Sequence, residues 1–110
     1  MYAWVITVDH LWNKKTDDEK KIYSDQGFKS EAGILGPAGC KLAAEEIIKK
    51  GEKFKMYDDD GELYYTGFFY DIDGQDCEAE FSPLDDFGTP NAGCVEIRYK
   101  NSKTGTWDTL

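Results

Sequence analysis

Asp58, Asp59 and Asp60 stand in a row before Gly61, and Asp71, Asp73 and Asp76 surround Gly74. Oxygen ligands at this density are what a calcium loop requires. An EF-hand, however, sets its carboxylates at alternate positions before a glycine, adds a bidentate Glu six residues beyond it, and places a helix on either side. Neither run has that spacing, and both lie among residues of strand-like period. Asp-Gly is also favoured turn chemistry, so both runs read as turns, with no metal and no cofactor expected.

Nucleophilic chemistry would fall to Cys40, Cys77 or Cys94, with His10 as the single imidazole. Cys40 stands near the start of a helical segment, where the helix dipole would lower its thiol pKa, and His10 would be its base. No nucleophile-elbow sequence or third anchor accompanies them. The plainer reading is three buried free thiols and a polar residue at a strand end. An odd number of cysteines without a CxxC pair also argues against a disulfide framework or zinc. Asp85 and Asp86 are adjacent, and neighbours in sequence rarely face each other across a glycosidic bond. GILGPAG at 33–39 is glycine-rich but lacks the GK[ST] ending of a phosphate loop. Lys14, Lys15, Lys20, Lys21 and Lys29 are diluted by Asp17, Asp18, Glu19 and Asp25, so direct nucleic-acid binding is not expected. These residues point away from an enzyme.

The elements that must position them follow from periodicity. Tyr2 to Val8 alternates Tyr2, Trp4, Ile6 and Val8 against Ala3, Val5 and Thr7, the pattern of a strand. TDDE at 16–19 has capping-box spacing and opens a short helix ending before Gly27. PAGCKLAAEEIIKKG, 37–51, reads as the main helix: Pro37 in its first turn, Leu42, Ala43 and Ile47 as a stripe, Lys49 and Lys50 at its negative end, Gly51 closing it. Lys53 to Tyr57 and Glu62 to Tyr70 form a hairpin about DDDG. DIDGQD at 71–76 turns the chain into a third strand, DCEAEF, and Cys94 to Tyr99 is another. NSKTGTW makes a final turn, with Trp107 packing a short tail. The expected architecture is one α+β domain over 1–110. Its antiparallel sheet has about five strands and one main helix on one face, in the order β-α-β-β-β-β.

With 110 residues, three Trp, seven Tyr and six Phe, the chain can bury a core and is not disordered. No run approaches the roughly 18 apolar residues of a membrane helix, and the start lacks the pattern of a secretory leader. A cytoplasmic location is expected. Net charge is −9, unevenly spread. No Lys or Arg lies between Lys55 and Arg98, while the two flanks together carry about +3. If Asp76, Glu78 and Glu80 share one face of a strand, their carboxylates repeat about every 6.6 Å, near the phosphate spacing along a nucleic-acid strand. The candidate partner-binding residues are therefore Asp58, Asp59, Asp60, Glu62, Asp71, Asp73, Asp76, Glu78, Glu80, Asp85, Asp86 and Phe87. In FSPLDDFGTPNAGCVEIRY, 81–99, Pro83, Pro90, Gly88, Gly93 and Asn91 serve backbone shape. The rigid loop would display Phe87 beside Asp85 and Asp86.

MYAWVITVDHLW and FSPLDDFGTPNAGCVEIRY, about a quarter of the chain, together resemble small proteins of unassigned role from bacteria, phages and mobile elements. By analogy of type and setting, that resemblance implies an inhibitor such as an anti-CRISPR protein or a DNA mimic, and it carries no site residue over. The resulting expectation is a non-enzymatic acidic protein that occupies the basic nucleic-acid groove of a host protein, such as a CRISPR effector. Pairing of an exposed edge strand into a homodimer is compatible with this. The alternatives are a small-ligand-binding bacterial domain, with Trp4, Tyr65 and Phe69 around a ligand between helix and sheet, and a Cys–His enzyme.

Overall fold

β1 (Tyr2–Asp9) sends Trp4 and Ile6 to one face of a sheet and Ala3 and Val5 to the other, and those two faces organise the molecule. The computed structural model describes residues 1–72, 74 and 79–110. After β1 come α1 (His10–Asn13), α2 (Asp17–Asp25), β2 (Leu35–Gly36), α3 (Ala44–Lys50), β3 (Glu52–Tyr57) and β4 (Leu63–Asp71). A 3-10 turn (Ala79–Phe81), a π turn (Leu84–Gly88), α4 (Thr89–Ala92), β5 (Glu96–Lys100) and β6 (Trp107–Thr109) complete the order. The chain is α+β. Its sheet has six strands in the order β2-β1-β4-β3-β5-β6, and every pairing is antiparallel.

Several expected elements form where their local chemistry put them. Thr16 and Glu19 make a reciprocal capping box, each side chain bonding the other's backbone N–H, which starts α2. At the β3–β4 turn the Asp58 carboxylate accepts from the backbone N–H groups of Asp60 and Glu62, at 2.9 and 2.7 Å, while Gly61 takes a left-handed φ of 80°. Asp9 is buried and ends β1. Its two oxygens accept from Trp12 N–H, capping α1, and from Glu31 N–H, tying the following loop back to the strand.

The main helix is shorter than its stripe predicts. It starts at Ala44 rather than Pro37, because Gly39 adopts φ 86° and Ala43 is extended, with φ −71° and ψ 146°. Residues 37–43 instead run as irregular chain that packs Cys40 and Leu42 beside Ala3, Val5 and Ile47. Helix and loop together cover only the β1–β4 part of that face.

The strand expected over DCEAEF does not form in its described residues, 79–81. Asp76, Cys77 and Glu78 lie outside the described residues, and Ala79–Phe81 is a 3-10 turn that buries Ala79 and leaves Phe81 42% exposed. A strand would have put those two side chains on the same face. The chain then crosses the second face of the sheet as the π turn and α4, laying Leu84 and Phe87 over Trp4, Met56, Tyr65 and Ile97. This crossing makes the larger of the two cores. Gly93 closes α4 with φ 72°, as a left-handed cap should. Gly88 has ordinary helical angles and is there for space: a Cβ would come 2.6 Å from Met56 Sδ. Asn91 does not bend the chain. It lies within α4 and donates from Nδ2 to the Tyr65 hydroxyl at 2.9 Å. Among the described residues, no helix is long and apolar enough to cross a membrane.

Candidate functional site

The acidic residues fall into three groups around the face that residues 79–92 cover. The first is the β3–β4 turn, where carboxylate oxygens of Asp58, Asp59 and Asp60 all lie within 4.8 Å of one another. Asp58 holds the turn together. The Glu62 N–H beside it keeps its carboxyl below the usual range, helped by the Tyr64 hydroxyl, whose own pKa that bond pushes up to about 12. Glu62 pairs with Lys14 at 2.6 Å. Asp59 and Asp60 are exposed and, among the described residues, have no cation in ion-pair range, so their charge faces solvent.

The second group is Glu80 with Glu52 and Asp71. Partial burial raises the Glu80 carboxyl, and the charges of Glu52 and Asp71 raise it further. Glu52 belongs here although it precedes the basic-free tract. Period two puts it on the same face as Phe54, which is the signal that would have found it. Asp71 also accepts from Gly74 N–H. The third group is Asp85 and Asp86. Asp86 Oδ2 accepts from the Tyr2 hydroxyl at 3.1 Å and from Trp4 Nε1 at 3.3 Å, pinning the crossing segment to β1, while Asp85 is exposed. Asp73, Asp76 and Glu78 lie outside the described residues.

Phe87 is not displayed beside these acids. It is 8% exposed, with its ring 5.6 Å from Trp4 and 4.9 Å from Tyr65 between centroids. The exposed aromatic beside carboxylates is Phe81. With Val95 and Leu110, which are 60% and 42% exposed, it lines a groove of about 340 Å³ whose wall includes Asp58 and Asp59. Glu96 and Arg98 also line it.

The aromatic residues expected around a ligand between helix and sheet are elsewhere too. Trp4, Tyr65 and Phe69 pack on the face opposite α3, filled in by Phe87 and Tyr99. On the helix side there is instead an apolar hollow of about 520 Å³, lined by Tyr2, Pro37, Cys40, Leu42 and Ile72 among others.

His10 sits at the start of α1 with Nε2 2.7 Å from the Thr66 hydroxyl. Burial lowers its pKa, and Lys14 and Lys55 lower it further against the opposing charge of Asp9. Cys94 is fully buried and its thiol is pushed up to about 11 by that burial, the reverse of what activates a nucleophile. Cys40 stands four residues ahead of α3 in irregular chain, outside the first turn where a helix dipole acts. Cys77 lies outside the described residues.

The fold and these surfaces define an α+β domain with an open antiparallel sheet, covered on one face by an acid-bordered crossing segment. No family model, curated protein or solved structure matches the chain.

Proposed function

We propose that the protein is a non-enzymatic acidic binding protein, of the inhibitor type found in phages and mobile elements, that occupies the basic nucleic-acid groove of a partner. The observation that carries this reading is the groove bordered by Asp58 and Asp59, with Phe81, Val95 and Leu110 exposed within it. Solvent-facing apolar side chains beside the exposed Asp59 carboxylate suit a partner surface of mixed Lys, Arg and apolar character. The carboxylates steer the encounter and the apolar residues supply contact area. Competition for the groove would then exclude nucleic acid without any chemical step.

The test is capture of partners from a host lysate at low and at high salt, followed by competition. A captured nucleic-acid-binding protein should be released by salt, and it should lose its nucleic acid when the purified protein is added. The double variant Asp59→Lys/Asp60→Lys should fail in both assays while keeping its fold. Retention that ignores both salt and the charge reversal would overturn the reading.

The apolar hollow beside Cys40 favours a second reading, a small-ligand-binding domain. An apolar ligand that raises the melting temperature, and loses that effect in Leu42→Gln, would support it over the first.

A further inference from the structure

The charge count argues against nucleic-acid contact by the chain as a whole, but the fold separates its charges by face. In β3, Phe54 and Met56 point into the large core, so Lys53 and Lys55 point the other way; in β5, Ile97 and Tyr99 point in, so Arg98 and Lys100 point out. Lys55 lies directly across from Arg98, and Lys100 directly across from Trp107. Four cations from two strands, more than forty positions apart in sequence, thus share one side of the sheet. Among the described residues, the helix and its preceding loop pack on Ala3, Val5, Phe68, Tyr70 and Ile72 at the other end of that side. Among the described residues, the β3–β5–β6 part lies outside that cover, and His10 of α1 borders it on Thr66, the residue across from Lys55.

Aromatic rings are interleaved with these cations. Lys55 Nζ lies 4.3 Å from the centroid of Trp107, and the Arg98 guanidinium 4.3 Å from that of Tyr57. The nearest acid on these strands, Glu96, pairs with Arg98 at 2.7 Å. Toward α3 the surface continues into a groove of about 600 Å³ lined by Lys50, Lys53, Phe68, Lys100 and Ser102, with Glu52 at its border.

We infer that this sheet face is a binding surface for single-stranded nucleic acid. Phosphates would draw Lys55 and Arg98 off the rings they now cover, and the freed faces of Trp107 and Tyr57 would stack bases. An open sheet face on which cations lie over rings suits an unpaired strand, whose bases are open to stacking, better than a duplex, whose bases are already stacked and paired. The acidic groove shares Arg98 with this face, while Lys53, Lys55, Lys100 and Trp107 lie outside its lining, so Lys55 and Trp107 test the inference apart from the reading above.

The experiment is fluorescence anisotropy of a labelled 20-nucleotide oligo-dT and of a 20-base-pair duplex with the purified protein. Single strands should bind more tightly than duplex. Four phosphate contacts imply about 50-fold weakening between 50 and 200 mM salt. Lys55→Glu/Arg98→Glu should abolish binding, and Trp107→Ala should weaken it about 5- to 150-fold, the usual range for one stacked base. Asp59→Lys/Asp60→Lys should leave it intact or tighter, which separates this face from the acidic groove. Melting curves check that each variant folds.

Absence of binding at 50 mM salt overturns the inference. So does binding in which duplex equals single strand and Trp107→Ala is neutral, since that is general attraction to a polyanion. Salt-sensitive self-association without oligonucleotide binding would assign the face to the acidic turn of a second copy and would overturn it equally.

Discussion

The Phe87 ring meets the Tyr65 ring edge-on, with centroids 4.9 Å apart and planes at 69°. This contact fastens the crossing segment to the middle of the sheet, since Tyr65 is on β4 and pairs with both β1 and β3. Phe87→Ala is expected to cost about 3 kcal/mol, as a cavity under the segment would. Asp86→Ala, which loses the bonds from Trp4 and Tyr2, should cost about 1 kcal/mol. Urea denaturation checks both. A Phe87→Ala protein of unchanged stability would place the ring on the surface.

The turn carboxylates should divide by role. Asp58 accepts two backbone N–H groups and the Tyr64 hydroxyl, so Asp58→Ala should lower the melting temperature by a few degrees. Asp59→Ala and Asp60→Ala should leave it unchanged and should weaken partner binding. Thermal melts beside a binding assay would separate structural from binding carboxylates.

Stability should fall on the alkaline side. Burial pushes Cys94 up to about 11 and Tyr65 up to about 12, and it raises Tyr99 as well. The unfolded chain ionises these groups first, from pH 9 for the thiol and pH 10 for the phenols. Their contribution is therefore complete below pH 9 and is lost as pH rises toward the folded values. Cys94 alone accounts for about 1 kcal/mol by pH 10. Melting temperatures between pH 8 and pH 11 should show the decline, and Cys94→Ala should flatten its first part. Under native conditions at pH 8, Cys94 should resist thiol reagents.

Gly67 is a steric necessity. A Cβ there would run into the Val5 carbonyl oxygen, which is backbone and held in the β1–β4 ladder, and would come 2.6 Å from the Phe54 ring. Gly67→Ala should cost about 3 kcal/mol or more. Gly61→Ala meets open space and bears only the left-handed φ, so it should cost about 1 kcal/mol. Parallel chemical denaturation of the two variants makes the comparison.

Local chemistry carried most of the secondary structure. Period two marked β1, β3, β4 and β5; Thr16 and Glu19 marked α2; Asp58 and Gly61 marked the hairpin turn. These signals are legible because each is complete within a few residues. The failures share one cause. Residues 37–43 have helix-compatible composition but run as irregular chain with Cys40 and Leu42 packed beside the sheet, and 79–81 leave the expected strand for a 3-10 turn from which the loop crosses it. Phe87 has the flanking residues of a displayed ring, yet the sheet beneath it offers Trp4 and Tyr65.

Charge divides in the same way. The chain by itself determined a net charge of −9 and a central tract without Lys or Arg. Only the tertiary structure decided that Lys53, Lys55, Arg98 and Lys100 meet on one side of the sheet, with Arg98 alone of the four also lining the groove of Phe81 and the acidic turn. Alternation assigns side chains to faces within a strand, but the pairing of β3 with β5, which β4 and the crossing segment separate in sequence, is a long-range choice. It is made by burial of Phe54, Met56, Ile97 and Tyr99 in one core, and no short window of sequence contains it.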